Sequence, residues 1–421
     1  LRLARPPITL MAGSGVRRMI GRRHFLKAGM SLIAFSGGAT RSIAAPARAE
    51  AILPFANGVR PLVAYPGKRP LIRHTARPPQ LETPFEIFNQ GVLTPNDAFF
   101  VRYHLADIPL QIDPRTYRLS VGGAVERPIV FSLDQLKKDF EPVEIVAVNQ
   151  CSGNSRGFVE PRVGGGQLGH GAMGNARWRG VSLKSVLDKA GVKAGAISVA
   201  FGGLDGPVLP ETPDFMKSLA LDHARDGEVM LAYAMNGADL PMLNGFPLRL
   251  IVPGYYGTYW VKHLSDITVL DKPLDSYWMN VAYRIPDNAC ACTPIGKAAE
   301  ATTPINRLNV RSFITNVVDG AQVSASDKFA LRGIAFDGGA GVSRVDVSVD
   351  DGASWREARL GDDLGKYSFR EWRMSTPLPK GAHVLMARAT NAKGQTQPLE
   401  PLWNPSGYGR NVVERVRVQA S

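Results

Sequence analysis

The chain has 421 residues, 44% of them hydrophobic and 21% charged, the profile of a globular protein with two or three domains. Its formal charge of +13 is concentrated at one end: residues 1–49 hold nine Lys or Arg and no acid, and beyond them 41 basic residues face 37 acidic ones. So small an excess argues against nucleic acid as a partner, and the lack of any apolar run of 18 residues argues against a membrane span.

In chain order, Gly21-Arg22-Arg23-His24-Phe25-Leu26-Lys27 resembles a twin-arginine export motif. A weakly apolar stretch, Ala28 to Ala39, follows it, and Ala47 or Ala49 could end a cleavage site. Residues 1–49 are therefore expected to be a cleaved signal peptide and the mature protein periplasmic. This route carries folded proteins, typically enzymes that need a complex cofactor before export.

Residues 50–95 are rich in Pro and Arg and have little periodicity, which predicts an extended segment wrapping the first domain. Tyr117–Gly122 and Pro128–Phe131 read as strands. Ser132 with Gln135 three residues on predicts a capped helix. Val143–Val148 is a short apolar strand that ends at Asn149-Gln150-Cys151. The glycine-rich stretch from Gly153 to Gly180 predicts little regular structure. Ser182 to Gly191 reads as a helix with Leu183, Val186 and Leu187 on one face. Ala196–Phe201 reads as a strand with Asp205 in the loop after it, Phe215–His223 as a helix, and Phe246–Val252 and Trp260–Leu270 as strands. From about Ile305 the pattern becomes period two, with Val345, Val347 and Val349 alternating with polar residues ahead of an Asp350-Asp351-Gly352 turn. The fold class is thus α+β: a mixed α/β domain over residues 50–300, then an all-β Ig-like sandwich over residues 301–421.

Three cysteines occur, Cys151, Cys290 and Cys292. They are too few for a disulfide scaffold, and a bridge between Cys290 and Cys292 is expected to be strained, so these two read as a structural or solvent pair. No C-x-x-C-H is present for a c-type haem, and a structural zinc site is not expected. Gly164 to Gly169 and Gly169 to Gly174 match G-x-G-x-x-G, but Pro161 precedes them and no helical period follows, which argues against a dinucleotide site. Gly153-Asn154-Ser155-Arg156-Gly157 matches the serine-hydrolase elbow and follows a strand, yet lacks the helix that should come next. Of the scattered histidines, most read as surface or structural residues.

Two features carry chemistry. Cys151 sits where a strand opens into a loop, with Arg156 five residues on; a nearby cation favours the thiolate, the form that binds a soft metal. In Phe99-Phe100-Val101-Arg102-Tyr103-His104, strand alternation puts Arg102 and His104 on one side and Val101 and Tyr103 on the other. Such a strand can build a cationic pocket with apolar backing.

These residues resemble the sulfite oxidase family. The Phe99–His104 segment is similar to its F-F-x-R-N-H, and Gln150-Cys151-Ser152-Gly153-Asn154-Ser155-Arg156 to its Q-C-A-G-N-R-R. Asn244-Gly245-Phe246-Pro247-Leu248-Arg249 with Val252-Pro253-Gly254 resembles H-G-F-P-V-R then V-P-G. Trp260-Val261-Lys262, Leu204-Asp205-Gly206 and, near the end, Trp403-Asn404 and Gly407 match further segments. Tyr103, Ser155 and Asn244 depart from the family's Asn, Arg and His. These departures resemble the bacterial sulfite dehydrogenases within the family.

The resemblance implies a molybdenum-molybdopterin cofactor, with Cys151 binding the metal, and no haem or flavin in this chain. Arg102, Arg156, Tyr283 and His104 would form the catalytic pocket for sulfite. Phe100, Val101, Arg102, Tyr103, His104, Asp205, Asn244, Arg249, Trp260, Val261 and Lys262 would contact the cofactor. The implied reaction is oxygen-atom transfer giving sulfate, with electrons leaving singly to a separate c-type cytochrome. Either a haem-bearing partner subunit or a second copy, bound through the C-terminal domain, would complete the assembly. The competing readings are a sulfoxide- or nitrate-reducing enzyme of the same superfamily and a non-catalytic exported binding protein.

Overall fold

The computed structural model describes residues 50–53 and 57–421, so the export-signal segment lies outside the described residues. Most of the structure is β, and its helices are short. The α+β expectation therefore overstates the helical share.

Three sheets build the region that precedes residue 300. The first runs Glu50–Ile52, Val59–Val63, Leu71–Ala76, Pro79–Glu82, Val101–Arg102 in spatial order. The segment expected to be merely extended is thus a meander. Its pleat buries Leu71, Leu81 and Val101, which form a small core with Tyr103. The second sheet has the order Met216–Ala220, Ser198–Gly203, Leu264–Leu270, Arg118–Gly123, Ile129–Ser132, with a parallel pairing between Leu264–Leu270 and Arg118–Gly123. The third has Ala238–Asp239, Met230–Met235, Met173–Ser182 and Pro142–Gln150 side by side, and Arg249–Ile251 also pairs with Met230–Met235.

Two elements differ from the sequence reading for physical reasons. Phe215–His223 is not a helix: Met216–Ala220 is a strand, followed by one helical turn, Leu221–Ala224. Lys217 and Leu219 are buried and alternate with more exposed neighbours, a period of two. The glycine-rich stretch ends in a ten-residue strand, Met173–Ser182. Its glycines serve close packing. A Cβ on Gly174 would lie 2.5 Å from the Phe99 ring, and one on Gly180 would lie 1.9 Å from the Leu231 carbonyl oxygen.

The helix Leu133–Asp139 follows the expected cap. The Gln135 amide donates to Ser132 Oγ at 3.1 Å, and the Ser132 amide donates to Gln135 Oε1 at 2.8 Å. Ser182 makes no such bond ahead of Leu183–Ala190, although Gly191 ends that helix at φ 72°.

Beyond residue 300, a four-stranded and a five-stranded sheet enclose one core. Leu331, Val345, Val347, Trp372, Leu385 and Val418 fill it. The main core is continuous with this region, since Ile305, Phe313, Phe336 and Phe369 pack with Phe88 and Phe99. Between the two parts, Cys290 and Cys292 are joined by a disulfide, contrary to the expectation of an unbridged pair. Ala291 turns at φ 48° and brings their Cα atoms to 5.1 Å, inside the ordinary range.

The Ser132 cap is exposed and separate from the cavities described below. Ser132→Ala should lower stability by about 1 kcal/mol, read as a downward shift of the thermal midpoint with cofactor content unchanged.

Candidate active site

Cys151 sits at the end of the strand Pro142–Gln150, as a buried free thiol. Its loop is held by backbone bonds: the Cys151 amide donates to Ala172 O at 2.9 Å, and the Asn154 amide to Cys151 O at 2.9 Å. The thiol faces two cavities that meet at Cys151, Arg102 and Tyr283.

The first cavity encloses about 570 Å³ of space, open solvent at its mouth included. Arg102 and His104 line it, while Val101 and Tyr103 are buried on the opposite side, as the alternation predicts. The Tyr103 hydroxyl bonds His263 Nε2 at 2.6 Å, so this side chain braces the strand from behind. Phe100, Asp205, Asn244, Arg249, Trp260, Val261 and Lys262 complete the sequence-predicted lining.

The electrostatics of this cavity are one-sided. Arg249 is buried, lying 5.4 Å from the Trp178 ring centre and 5.9 Å from that of Trp260. Burial brings its guanidinium down to about 10. Lys262 donates to Arg102 O at 2.8 Å and lies 4.1 Å from the Tyr103 ring centre. Its ammonium is lowered to about 7, mainly by burial, with Asp205 opposing the shift. Asp205 is the one carboxylate in the lining, and burial raises its pKa. Asn244 is held by Lys68, which donates to its Oδ1, and by its own Nδ2 donating to Phe100 O at 3.0 Å. His104 Nε2 shares a hydrogen bond with the Tyr283 hydroxyl, and its ring stacks on Phe215 at 3.9 Å. Burial, reinforced by Arg102, Lys262 and Lys217, keeps His104 well below the usual histidine range, hence neutral.

Arg156 does not line the first cavity. It borders the second, with Arg102, Cys151 and Tyr283. Its Nε donates to Ser406 O at 2.9 Å and its Nη1 to Gly166 O at 3.1 Å. Of the predicted catalytic set, Arg102, Arg156 and Tyr283 thus meet at the second cavity while His104 lines the first with the cofactor set, and Val101 and Tyr103 lie behind the strand. The glycines of the false dinucleotide motif, Gly164 to Gly166, are the far wall of the second cavity. Ser155, of the false elbow, is fully buried; its Oγ bonds His170 Nδ1 at 2.7 Å and accepts from Arg311 at 2.8 Å.

Sequence reasoning missed several residues. Phe215 was hidden inside the mistaken helix, as was Lys217, whose Nζ donates to Trp278 O at 2.6 Å and lies 5.4 Å from the Tyr283 ring centre. The period of two shows in their burial and not in their residue types, because Lys217 shares a face with Phe215 and Leu219. Tyr408 lies in a Gly-Tyr-Gly turn far along the chain.

The residues present fit a metal–pterin group carrying phosphate. Among the described residues no cluster of three His, Cys, Asp or Glu could cage a metal, so the chain offers one thiol and the remaining ligands must come with the group. Around that thiol the side-chain polar atoms of Asn149, Ser152 Oγ, Thr258 Oγ1 and Arg249 Nε are buried without partners. Orphaned polar atoms in a cationic cavity call for a polar, anionic occupant.

Comparison with known proteins agrees. Residues 104–278 match the oxidoreductase molybdopterin binding domain, and residues 302–421 match the Mo-co oxidoreductase dimerisation domain. Mitochondrial sulfite oxidase of Mus musculus is 34% identical over 387 residues, covering 88% of this chain and 69% of that protein. The chain belongs to the sulfite oxidase family. Sulfite oxidase of Gallus gallus is also 34% identical, covering 86% of the chain and 80% of its relative. Nitrate reductase [NAD(P)H] of Hordeum vulgare is 32% identical, covering 83% of the chain and 42% of that protein. The fold is that of the sulfane dehydrogenase SoxCD from Paracoccus pantotrophus, with TM-score 0.69 and 23% identity, covering 92% and 93% of the two chains. As a member of this family, the chain is a molybdopterin-binding oxidoreductase.

Two further buried histidines give a pH prediction. His170 and His263 are each lowered to about 3, chiefly by burial. The unfolded chain takes up these protons near the usual histidine value and the folded chain does not, so stability falls as pH drops through that window. The urea midpoint should decrease steadily from about pH 6.5 down to about pH 4. A flat midpoint would refute their neutral burial.

Proposed function

We propose that this enzyme oxidises sulfite to sulfate at a molybdenum ligated by Cys151. The observation that carries this reading is the position of the one free thiol, opening on a cavity lined by Arg249 and Lys262 on one side and on a guanidinium-lined cavity on the other. When bound, the molybdenum–pterin supplies oxygen-atom transfer and takes up two electrons.

The protein's own residues bind and orient. Arg249 and Lys262 hold the anionic end of the cofactor, and an anion there offsets the burial of both cations. Arg102 and Arg156 receive the sulfite oxygens from two directions, each able to offer a planar fork of donors. Tyr283 stands between the cavities with its hydroxyl bonded to His104. Because His104 is neutral and burial pushes the Tyr283 hydroxyl up, the pair stays uncharged and the imidazole fixes the direction of that hydroxyl.

Electrons leave one at a time to a separate c-type cytochrome. In support, Val208, Leu209, Tyr277 and Val281 are exposed, on the segments that lead to Phe215 and Tyr283 of the first cavity's lining. Their two segments are tied by Trp278 Nε1 donating to Pro213 O at 3.2 Å. Exposed apolar side chains of this kind suit transient docking. The mature enzyme works in the periplasm after twin-arginine export, and the region matching the dimerisation domain joins two copies unless a haem subunit takes that place.

Nitrate reduction is the second reading, favoured by the similarity to the barley enzyme. Steady-state assays with sulfite plus cytochrome c, and with nitrate plus a reduced dye, separate the two. Arg102→Met should raise the sulfite KM by about 10²-fold, the scale of losing one anion-stabilising donor; unchanged sulfite kinetics would remove it from the pocket. Cys151→Ser should keep the fold, read as an unchanged thermal midpoint, and lose turnover; an active variant that metal analysis shows to be loaded would refute the ligand role.

A further inference from the structure

The second cavity is closed by a segment from beyond residue 300. Pro405, Ser406 and Tyr408 line it, and Arg156 is threaded through three glycines that leave it room. A Cβ on Gly153 would lie 2.4 Å from Arg156 Nη1, and one on Gly165 2.9 Å from the same atom. One on Gly407, at φ 58°, would lie 3.1 Å from Arg156 Cγ and 2.7 Å from Val163 Cγ2. This turn is rigidly built. Asn404 clasps it, its Nδ2 donating to Tyr408 O at 2.9 Å and its Oδ1 accepting from the Tyr408 amide at 3.1 Å. The Gly409 amide then donates to Ser152 O at 3.1 Å, beside Cys151.

The Tyr408 ring is where these restraints converge. The Arg156 guanidinium carbon lies 4.9 Å from its centre, within cation–π range. The same ring stacks on Tyr283, with centres 5.4 Å apart and planes 12° from parallel. Tyr408 therefore sets the spacing between the cation that receives the substrate anion and the tyrosine between the two cavities.

We propose that Tyr408 is a positioning and specificity-determining residue of the anion cavity, supplied by the C-terminal region. It holds the Arg156 charge against Tyr283 so that a small, compact oxyanion is gripped between Arg156 and Arg102. A longer or bulkier substrate meets the ring. The proposal rests on the sulfite reading above for the identity of that anion.

The test compares holoenzymes carrying Tyr408→Leu, Tyr408→Phe, Arg156→Met and the Tyr408→Leu/Arg156→Met pair, assayed with sulfite and cytochrome c. Losing the ring should raise the sulfite KM about tenfold while kcat falls less than about threefold. Tyr408→Phe keeps the ring and should bring KM back to within about threefold of the parent. In the Arg156→Met background the Leu substitution should add less than about twofold, because the two act as a unit. A KM within about twofold of the parent in Tyr408→Leu, or a full additional loss in the Arg156→Met background, overturns the proposal. If Tyr408→Leu does not fold, Tyr408→Met fills the same volume without a ring and carries the same comparison. If the parent holoenzyme does not oxidise sulfite, the substrate reading fails by itself. Calorimetric titration of the same variants with inorganic sulfate then decides the positioning role: weaker binding without the ring sustains it, and equal binding overturns it.

Discussion

The structure is organised around buried positive charge that the protein leaves unneutralised. Arg249, Lys68 and Lys217 are buried and Lys262 is partly so; Arg249 and Lys262 line the first cavity with Cys151, and Asp205 is the only carboxylate in that lining. Burial lowers the three lysines to about 7 and the arginine to about 10. Burying an unpaired cation is costly, so such a cluster persists only where a ligand anion repays it. The aromatic faces of Trp178, Trp260, Tyr103 and Tyr259 shield the cations without quenching them.

The scaffold serves that arrangement. The N-terminal meander supplies Glu82, whose carboxylate accepts from the Gly169 and Gly171 amides at 2.9 and 2.8 Å and pairs with His74 at 2.7 Å. Those amides belong to the loop that also accepts from Ser155, the neighbour of Arg156, at 2.6 Å. One buried carboxylate thus orders the glycine-rich loop that walls the second cavity. Lys68 does the same for the first: it donates to the Asn96 and Phe99 carbonyls at 2.6 and 3.0 Å and fixes the strand that presents Arg102. The strand Val101–Arg102 is only two residues long, and it needs this external support to hold its register.

Much of this was legible in the sequence because it is local. The alternation in Phe99–His104, the Ser132–Gln135 cap and the strand ending at Cys151 each depend on neighbours a few residues apart. The candidate catalytic and cofactor residues were reached through spaced motifs, and the structure brings all of them but Val101 and Tyr103 to two adjoining cavities. What escaped is long-range. Gly174 and Gly180 looked like loop residues because the rings and carbonyls that exclude a Cβ lie far off in sequence. Lys217 looked like the polar face of a helix, since nothing local says that a lysine will be buried against Tyr259 and Tyr283. The Cys290–Cys292 bridge depends on the left-handed turn at Ala291, a conformation that an alanine does not announce.

The C-terminal sheets have a second role beside the one their family description names. Arg311, from the first of these strands, donates to both Ser155 and Glu414 at 2.8 Å, so it clamps the turn that launches Arg156. Ser406 accepts from Arg156, and Tyr408 covers it. Two contacts from one region therefore reach a single guanidinium of the other, and a third holds the residue before it. Removing the C-terminal region would leave Arg156 free to swing and the second cavity open to water, where a charge-assisted bond to an oxyanion weakens steeply. Anion selectivity and the C-terminal fold are for that reason one problem: the charge that would choose a compact dianion over a planar monoanion sits on one region, and its position is set by the other.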